Sequence, residues 1–258
     1  MLLRSAWARL RPRRALAIRR FHPNDPNYTG DPELYLQAGR TAVRFIELAK
    51  EVAGRRRPLR RILDLPCGYG RIMGSLKEAF PDAELTACDI SREAVDFCAE
   101  TFGATPVYSA EDPGEIPLQG QFDLIWCGSL LTHLDAGRWL GFLDLFEAHL
   151  GRRGLLVFTT CGRGVAARLR AGEDLGMTQP QVEGLLTDYE RTGFAYRDYP
   201  PNVLGEMTWE PGSYGLSLAS PAWVCARIGD RDPLRIVSLC EMGFNYNQDA
   251  IACHRLDD

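Results

Sequence analysis

Lysine is almost missing from this chain. Of 30 basic residues in 258, only Lys50 and Lys77 are not arginine. Long apolar runs are missing as well. None approaches the roughly 18 residues that a helix needs to cross a bilayer, which excludes a membrane-spanning protein. The eight cysteines include no Cys-x-x-Cys pair, and His22, His133, His149 and His254 do not cluster with acids. That spacing suits neither a zinc centre nor a disulfide framework, so no metal is expected. The cysteines read instead as reduced core residues of a cytoplasmic protein. There is no internal repeat and no low-complexity tract.

What is there is unevenly charged. Residues 1–24 carry seven arginines and no acid, so residues 25–258 hold 23 basic against 34 acidic side chains. A body that acidic is a poor partner for a phosphate backbone, and nucleic acid is not expected as a ligand. The basic head lacks the apolar core and small-residue cleavage site of a secretory signal. It reads as a solvated extension, with peripheral contact to an anionic membrane or a transit role as alternatives. The turn-rich stretch Pro23–Pro32 closes this extension, which gives an N-terminal segment 1–30 and a main domain 31–258. Nothing in the sequence sets the oligomeric state.

Within the main domain, Asp31-Pro32 opens a helix, with Asp as cap and Pro at the first helical position. Apolar strand-like runs then alternate with helices. The strands are Arg61–Leu65, Glu84–Asp89, Thr105–Tyr108, Phe122–Cys127 and Leu155–Thr160. The helices run from about Arg71 to Phe80, from Ser91 to Phe102 and from Asp135 to Leu150, with a turn over 151–154. This order predicts a doubly wound, Rossmann-like α/β sheet, mostly parallel, with helices on both faces. At the tail, Leu234–Met242 and Ala250–Arg255 read as a hairpin that adds an antiparallel edge strand. Residues 162–219 read as an insertion capping the active face.

Ligands of such sheets bind at the carboxyl ends of the strands. The loop there is Asp64-Leu65-Pro66-Cys67-Gly68-Tyr69-Gly70. Gly68 and Gly70 lack a Cβ, so a ligand can approach the backbone. Asp89, 19 residues beyond Gly70, sits where an acid takes both hydroxyls of a ribose. The third glycine of a dinucleotide fingerprint is missing, and Asp64 would repel a pyrophosphate. S-adenosylmethionine has no phosphate, and its cationic amine suits Asp64.

These residues resemble a family. Ile62 to Gly70 is similar to the first motif of class I S-adenosylmethionine-dependent methyltransferases, and Asp89 to their ribose-binding acid. Glu111 to Pro117 resembles the segment whose acid meets the adenine, with Asp112 the best match. Phe122 to Leu134 is similar to the fourth-strand motif that lines the methyl donor. The resemblance spans about residues 58–160. It implies S-adenosyl-L-methionine as cofactor, held by Asp64, Pro66, Cys67, Gly68, Gly70, Asp89, Ile90, Asp112, Cys127 and Gly128. Pro66 departs from the glycine common there and removes a backbone donor.

Each candidate also has a plainer role. Asp64 and Asp89 are residues that cap turns and helices. Cys127 and Gly128 are small enough to serve packing alone. His133 is the candidate catalytic base for an acceptor hydroxyl, or a histidine bonded to backbone. Trp209 and Tyr214, in the insertion, can wall an acceptor or pin the insertion to the sheet. Tyr28 can close the pocket from the other side. The motifs of base and glutamine methylation are lacking after Cys127, which leaves a small-molecule or glycan-like acceptor, methylated on oxygen. Two alternatives stay open: a non-catalytic methyltransferase-like scaffold subunit, and a NAD-dependent oxidoreductase.

Overall fold

The computed structural model of the chain describes residues 20–200 and 212–256. The Arg-rich residues 4–19 and Trp209 lie outside the described residues. Helix α1 (Pro32–Val52) starts where expected, because the Asp31 carboxylate accepts the N–H groups of Glu33 and Leu34. Strand β1 (Arg61–Asp64) leads into helix α2 (Met73–Ala79), and β2 (Glu84–Asp89) into α3 (Arg92–Phe102). The Ser91 hydroxyl caps α3 by accepting from Ala94 N–H, and Gly103 ends it in a left-handed turn. Then follow β3 (Thr105–Tyr108), β4 (Phe122–Cys127), α4 (Ala136–His149) and β5 (Leu150–Thr160).

Seven strands form one sheet in the order β3-β2-β1-β4-β5-β9-β8, where β8 is Leu234–Phe244 and β9 is Gln248–Arg255. Strands β1 to β5 are parallel, and β9 runs antiparallel to β5. The antiparallel strand expected at the edge is thus one position in from it, and β8 takes the edge. The expected turn over 151–154 is strand instead. Phe122 pairs with Leu150, and the ladder recovers its register at Leu124 through an irregularity, so β5 begins five residues early.

Alternation along the strands sorts the core. Ile62, Leu124, Trp126 and Val157 face a cluster built with α1, α2 and α3. Their neighbours Leu63, Ile125, Cys127 and Phe158 face a second cluster, built with α4 and with α7 (Pro221–Gly229). Helices therefore cover both faces, which is why the parallel strands are apolar throughout.

Between β5 and α7 lie α5 (Arg163–Arg170), α6 (Gln179–Thr192), β6 (Phe194–Asp198) and β7 (Gly215–Ala219). Strands β6 and β7 form a separate two-stranded antiparallel sheet. Its sequence signal is weak, because β6 is a half-buried strand without a continuous apolar run. These elements share a third cluster, centred on Leu185, Leu218, Val165 and Ala166. Among the described residues no helix is long and apolar enough to cross a membrane. All eight cysteines are free thiols, six of them buried.

Candidate functional site

Strand β1 ends at Asp64, whose side chain is 1% exposed and whose two carboxylate oxygens have no hydrogen-bond partner. Burial, and then the charge of Asp89, push its pKa well above the carboxylate range. A buried, unpartnered carboxylate is costly, and such a group asks for a ligand or a function.

The loop after it is tied back at two points. Cys67 N–H donates to the Cys88 carbonyl, and Gly68 N–H donates to Asp89 Oδ2 at 2.8 Å. The other oxygen, Asp89 Oδ1, accepts Ser91 N–H at 2.9 Å. Asp89 therefore holds the loop and the start of α3 at once. It keeps further lone pairs on both oxygens. Burial raises its pKa. The two glycines differ in purpose. A Cβ on Gly68 would meet nothing within 4 Å, so its backbone borders open space. A Cβ on Gly70 would lie 2.2 Å from Phe102 Cε2, so Gly70 serves packing against α3. Both have positive φ, at 47° and 79°.

A cavity opens at the carboxyl ends of β1, β2 and β4. Of the expected cofactor residues, Pro66, Asp89 and Ile90 line it, and so does Tyr214 from the turn before β7. Ile90 is 59% exposed, unusual for isoleucine unless something covers it. Glu111 and Leu134, from two of the segments matched in the sequence, also line the cavity, and so do Ser109, Arg138 and Phe142, which sequence reasoning did not name. Asp112 does not line it. Its Oδ1 accepts Gly114 N–H and caps a single turn of 3-10 helix, Pro113–Glu115. The dipeptide Asp112-Pro113 carries the same cap signature as Asp31-Pro32, and that signal was available. Cys67 and Cys127 are buried behind the cavity, where burial pushes the Cys127 thiol up. Gly128 answers to packing, since a Cβ there would lie 2.8 Å from Trp126 Nε1.

His133 does not line the cavity either. Its Nδ1 lies 2.8 Å from the Gly215 carbonyl, so Nδ1 carries the proton and donates it. The ring stacks on Tyr214 at 4.5 Å between centroids, with Tyr199 at 5.9 Å. Burial lowers its pKa to about 4, against the weaker opposing effect of the Gly215 hydrogen bond. Arg138 works beside it. Its guanidinium donates to the carbonyls of Gly212 and Ser213 and to Asp135 Oδ2. Together the two side chains hold three carbonyls of one turn, and the turn carries Tyr214 to the cavity wall.

The segment before α1 packs on the far side of the glycine loop. His22 stacks on Tyr69 at 4.5 Å, and Asn24 Nδ2 donates to Glu93. Tyr28 stacks on Phe21 at 4.4 Å, beside Tyr35, whose hydroxyl donates to the buried Asp25. Tyr28 thus belongs to an aromatic cluster over α1 and is not among the cavity's lining residues. Among the described residues no group of three or more His, Cys, Asp or Glu side chains is arranged to hold a metal ion.

Residues 62–154 match the family model described as a methyltransferase domain. A malonyl-[acyl-carrier protein] O-methyltransferase of Anoxybacillus flavithermus is 30% identical over 106 residues, covering 41% of this chain and 40% of that protein. A second protein of that name, from Ilyobacter polytropus, is 26% identical over 54% of this chain and 50% of its own length. The chain therefore spans about half or less of the curated relatives it matches. A solved S-adenosylmethionine-dependent methyltransferase from Clostridium acetobutylicum superposes with a TM-score of 0.57 at 14% identity, over 86% of this chain and 92% of that one. The magnesium protoporphyrin IX methyltransferase of Synechocystis, solved with S-adenosylhomocysteine, gives 0.55 at 15% identity, over 89% and 91%. Strand order, loop and matched domain agree: residues 62–154 match a methyltransferase domain, and the chain has the fold of solved S-adenosylmethionine-dependent methyltransferases.

Proposed function

We propose that the chain transfers the methyl group of S-adenosylmethionine to an oxygen of a small acceptor. The observation that carries the reading is the pair Asp64 and Asp89. One is a buried carboxylate with two unpartnered oxygens, and the other lines the cavity 25 residues along the chain. A ligand with a cation at one end and a ribose at the other satisfies both, and the loop offers a phosphate only repulsion. When bound, S-adenosylmethionine supplies an electrophilic methyl on a sulfonium.

The chain's own residues do the rest. Asp64 pairs with the amine. Asp89 accepts the ribose hydroxyls with the lone pairs its backbone partners leave. Ile90, Leu134 and Phe142 give the adenine apolar walls, and Glu111 is the acid of that segment that faces the cavity. Transfer from a sulfonium depends above all on alignment, and holding the reactants in line removes much of the barrier. In this reading, residues 162–219 cap the acceptor side and exclude water. His133 positions Tyr214, because an imidazole with a pKa near 4 is a weak base at neutral pH. Methylation on oxygen is supported by the curated relatives, whose names specify O-methylation of a malonyl group on its carrier protein. The alternative of a glycan-like acceptor rests on the sequence alone.

Calorimetric titration with S-adenosylmethionine, S-adenosylhomocysteine and NAD tests the cofactor. The two adenosyl compounds are expected to saturate one site, and NAD is expected to give no heat. Tight NAD binding, or no binding of any of the three, would overturn the reading. Mass analysis of a small-molecule extract incubated with labelled donor then identifies the acceptor.

A further inference from the structure

Strand order apportions the carboxyl end of the sheet. Asp89 ends β2 and Asp64 ends β1, and β4, β5 and β9 follow in that order. In the methyl-transfer reading the donor takes the ends of β2 and β1, which leaves the ends of β4, β5 and β9 to the acceptor. Strand β9 is antiparallel to β5, so it is its first residue, Gln248, that stands at this end, next to the pair Thr160 and Asp249.

Three polar side chains meet there. Ser129, two residues beyond β4, has a φ of 61°, a left-handed conformation that is strained for any residue but glycine. Its N–H donates to Thr159 Oγ1 at 2.8 Å. The Thr159 hydroxyl donates in turn to Gln248 Oε1 at 2.6 Å, and the Ser129 hydroxyl donates to the same oxygen at 3.1 Å. Thr159 is fully buried and Gln248 is 9% exposed. Leu130, the neighbour of Ser129, lines the cofactor cavity.

These bonds fix which way the carboxamide faces. The Thr159 hydroxyl already accepts Ser129 N–H, and its own proton needs an acceptor, which in a carboxamide only the oxygen can be. Oε1 is then saturated by two hydroxyls, and Nε2 is left outside the network with both its N–H groups. Among the described residues neither has a partner. Free donors on a buried side chain call for an atom that accepts. A hydroxyl would bring a further proton that needs a partner, whereas a carbonyl or carboxylate oxygen offers lone pairs and requires nothing in return.

We propose that Gln248 is a specificity-determining residue for methyl transfer, and that its Nε2 donates to a carbonyl or carboxylate oxygen of the acceptor. The proposal rests on the methyl-transfer reading. Gln248→Glu separates it from a structural role, because the variant keeps an oxygen for the hydroxyls of Ser129 and Thr159 and replaces only the donors. Wild type and variant are incubated with methyl-labelled S-adenosylmethionine and a dilution series of one small-molecule extract, and labelled products are identified by mass. The acceptor labelled by the wild type is expected to carry a carbonyl or carboxyl group. Gln248→Glu should raise the half-saturating extract concentration by about tenfold or more, with S-adenosylhomocysteine affinity in calorimetry held within about twofold. Gln248→Met, which removes the donors without adding charge, gives the same comparison if the carboxylate disturbs folding. A labelled product whose half-saturation is unchanged in the folded variants would overturn the proposal alone, and so would an acceptor without such an oxygen. A loss of S-adenosylhomocysteine affinity as large as the effect on the acceptor would also overturn it, by making Gln248 a support of the cofactor site. A wild type that labels nothing would overturn the methyl-transfer reading and the proposal with it.

Discussion

Asp64 is held at a cost, because it is buried and neither of its carboxylate oxygens has a partner. Its raised pKa means that the folded protein keeps a proton there which the unfolded chain has already lost. The penalty is absent below the ordinary carboxylate range and is fully imposed once the pH exceeds the raised value. Asp64→Asn should therefore raise the melting temperature of the ligand-free protein at neutral pH. It should also weaken S-adenosylhomocysteine by about 10- to 100-fold, the loss of a charge-assisted hydrogen bond. Calorimetry and a thermal melt check the two signs together. His133 gives the opposite linkage. Its folded pKa of about 4 lies below the ordinary value, so stability falls as the pH drops from about 6.5 toward 4. His133→Gln, which keeps a donor for the Gly215 carbonyl, should flatten that slope and retain activity within a few fold. A wild-type pH–rate profile without an imidazole limb between about pH 5.5 and 9 is expected; a limb near 6.5 that vanishes in the variant would restore His133 as a base. At this scale the sequence was readable where chemistry is local. Asp64 and Asp89 follow from loop composition and spacing. Arg138 does not, because the carbonyls it holds lie more than 70 residues away and its local partner, Asp135, marks only the start of a helix.

The turn before β7 is an element held from outside. His133 and Arg138, on either side of the start of α4, bind its carbonyls beside Tyr214, which lines the cavity. Arg138→Ala should loosen it and cost about 1–3 kcal/mol of stability, with weaker cofactor binding measured by titration. The glycine loop answers to a different constraint. Gly70→Ala would force a Cβ into the Phe102 ring at a positive φ, so both stability and S-adenosylhomocysteine affinity should fall. Affinity unchanged in a folded Gly70→Ala protein would show that the loop tolerates a shift of α3. The parallel strands were legible as apolar runs, and the helix starts as Asp, Ser and Pro at their caps. Strands β6 and β7 were not. Their pairing closes across 16 residues of intervening chain, and half-buried Phe194–Asp198 carries Arg and Asp among its aromatics.

Across the whole molecule, the two ends of the sheet carry opposite characters. The carboxyl ends hold the buried carboxylates Asp64 and Asp89, and the amino ends hold arginines. A ligand that binds only the folded state stabilises it by mass action, by about 2.7 kcal/mol at a hundred times its dissociation constant. S-adenosylhomocysteine at that excess should raise the melting temperature, and NAD should leave it unchanged. The doubly wound order was legible from the alternation of strands and helices. The position of β9 was not, because hairpin signals fix which strands pair with each other and not which of them joins the sheet. That position bears on biosynthesis. Strand β9 pairs on one side with β5 and on the other with β8. Until residues 248–255 have left the ribosome, β5 keeps an open row of backbone donors and acceptors beside an apolar face. The nascent domain is then at its most prone to associate with a neighbour, and a chain broken off shortly before Gln248 would carry that exposed edge for as long as it survived.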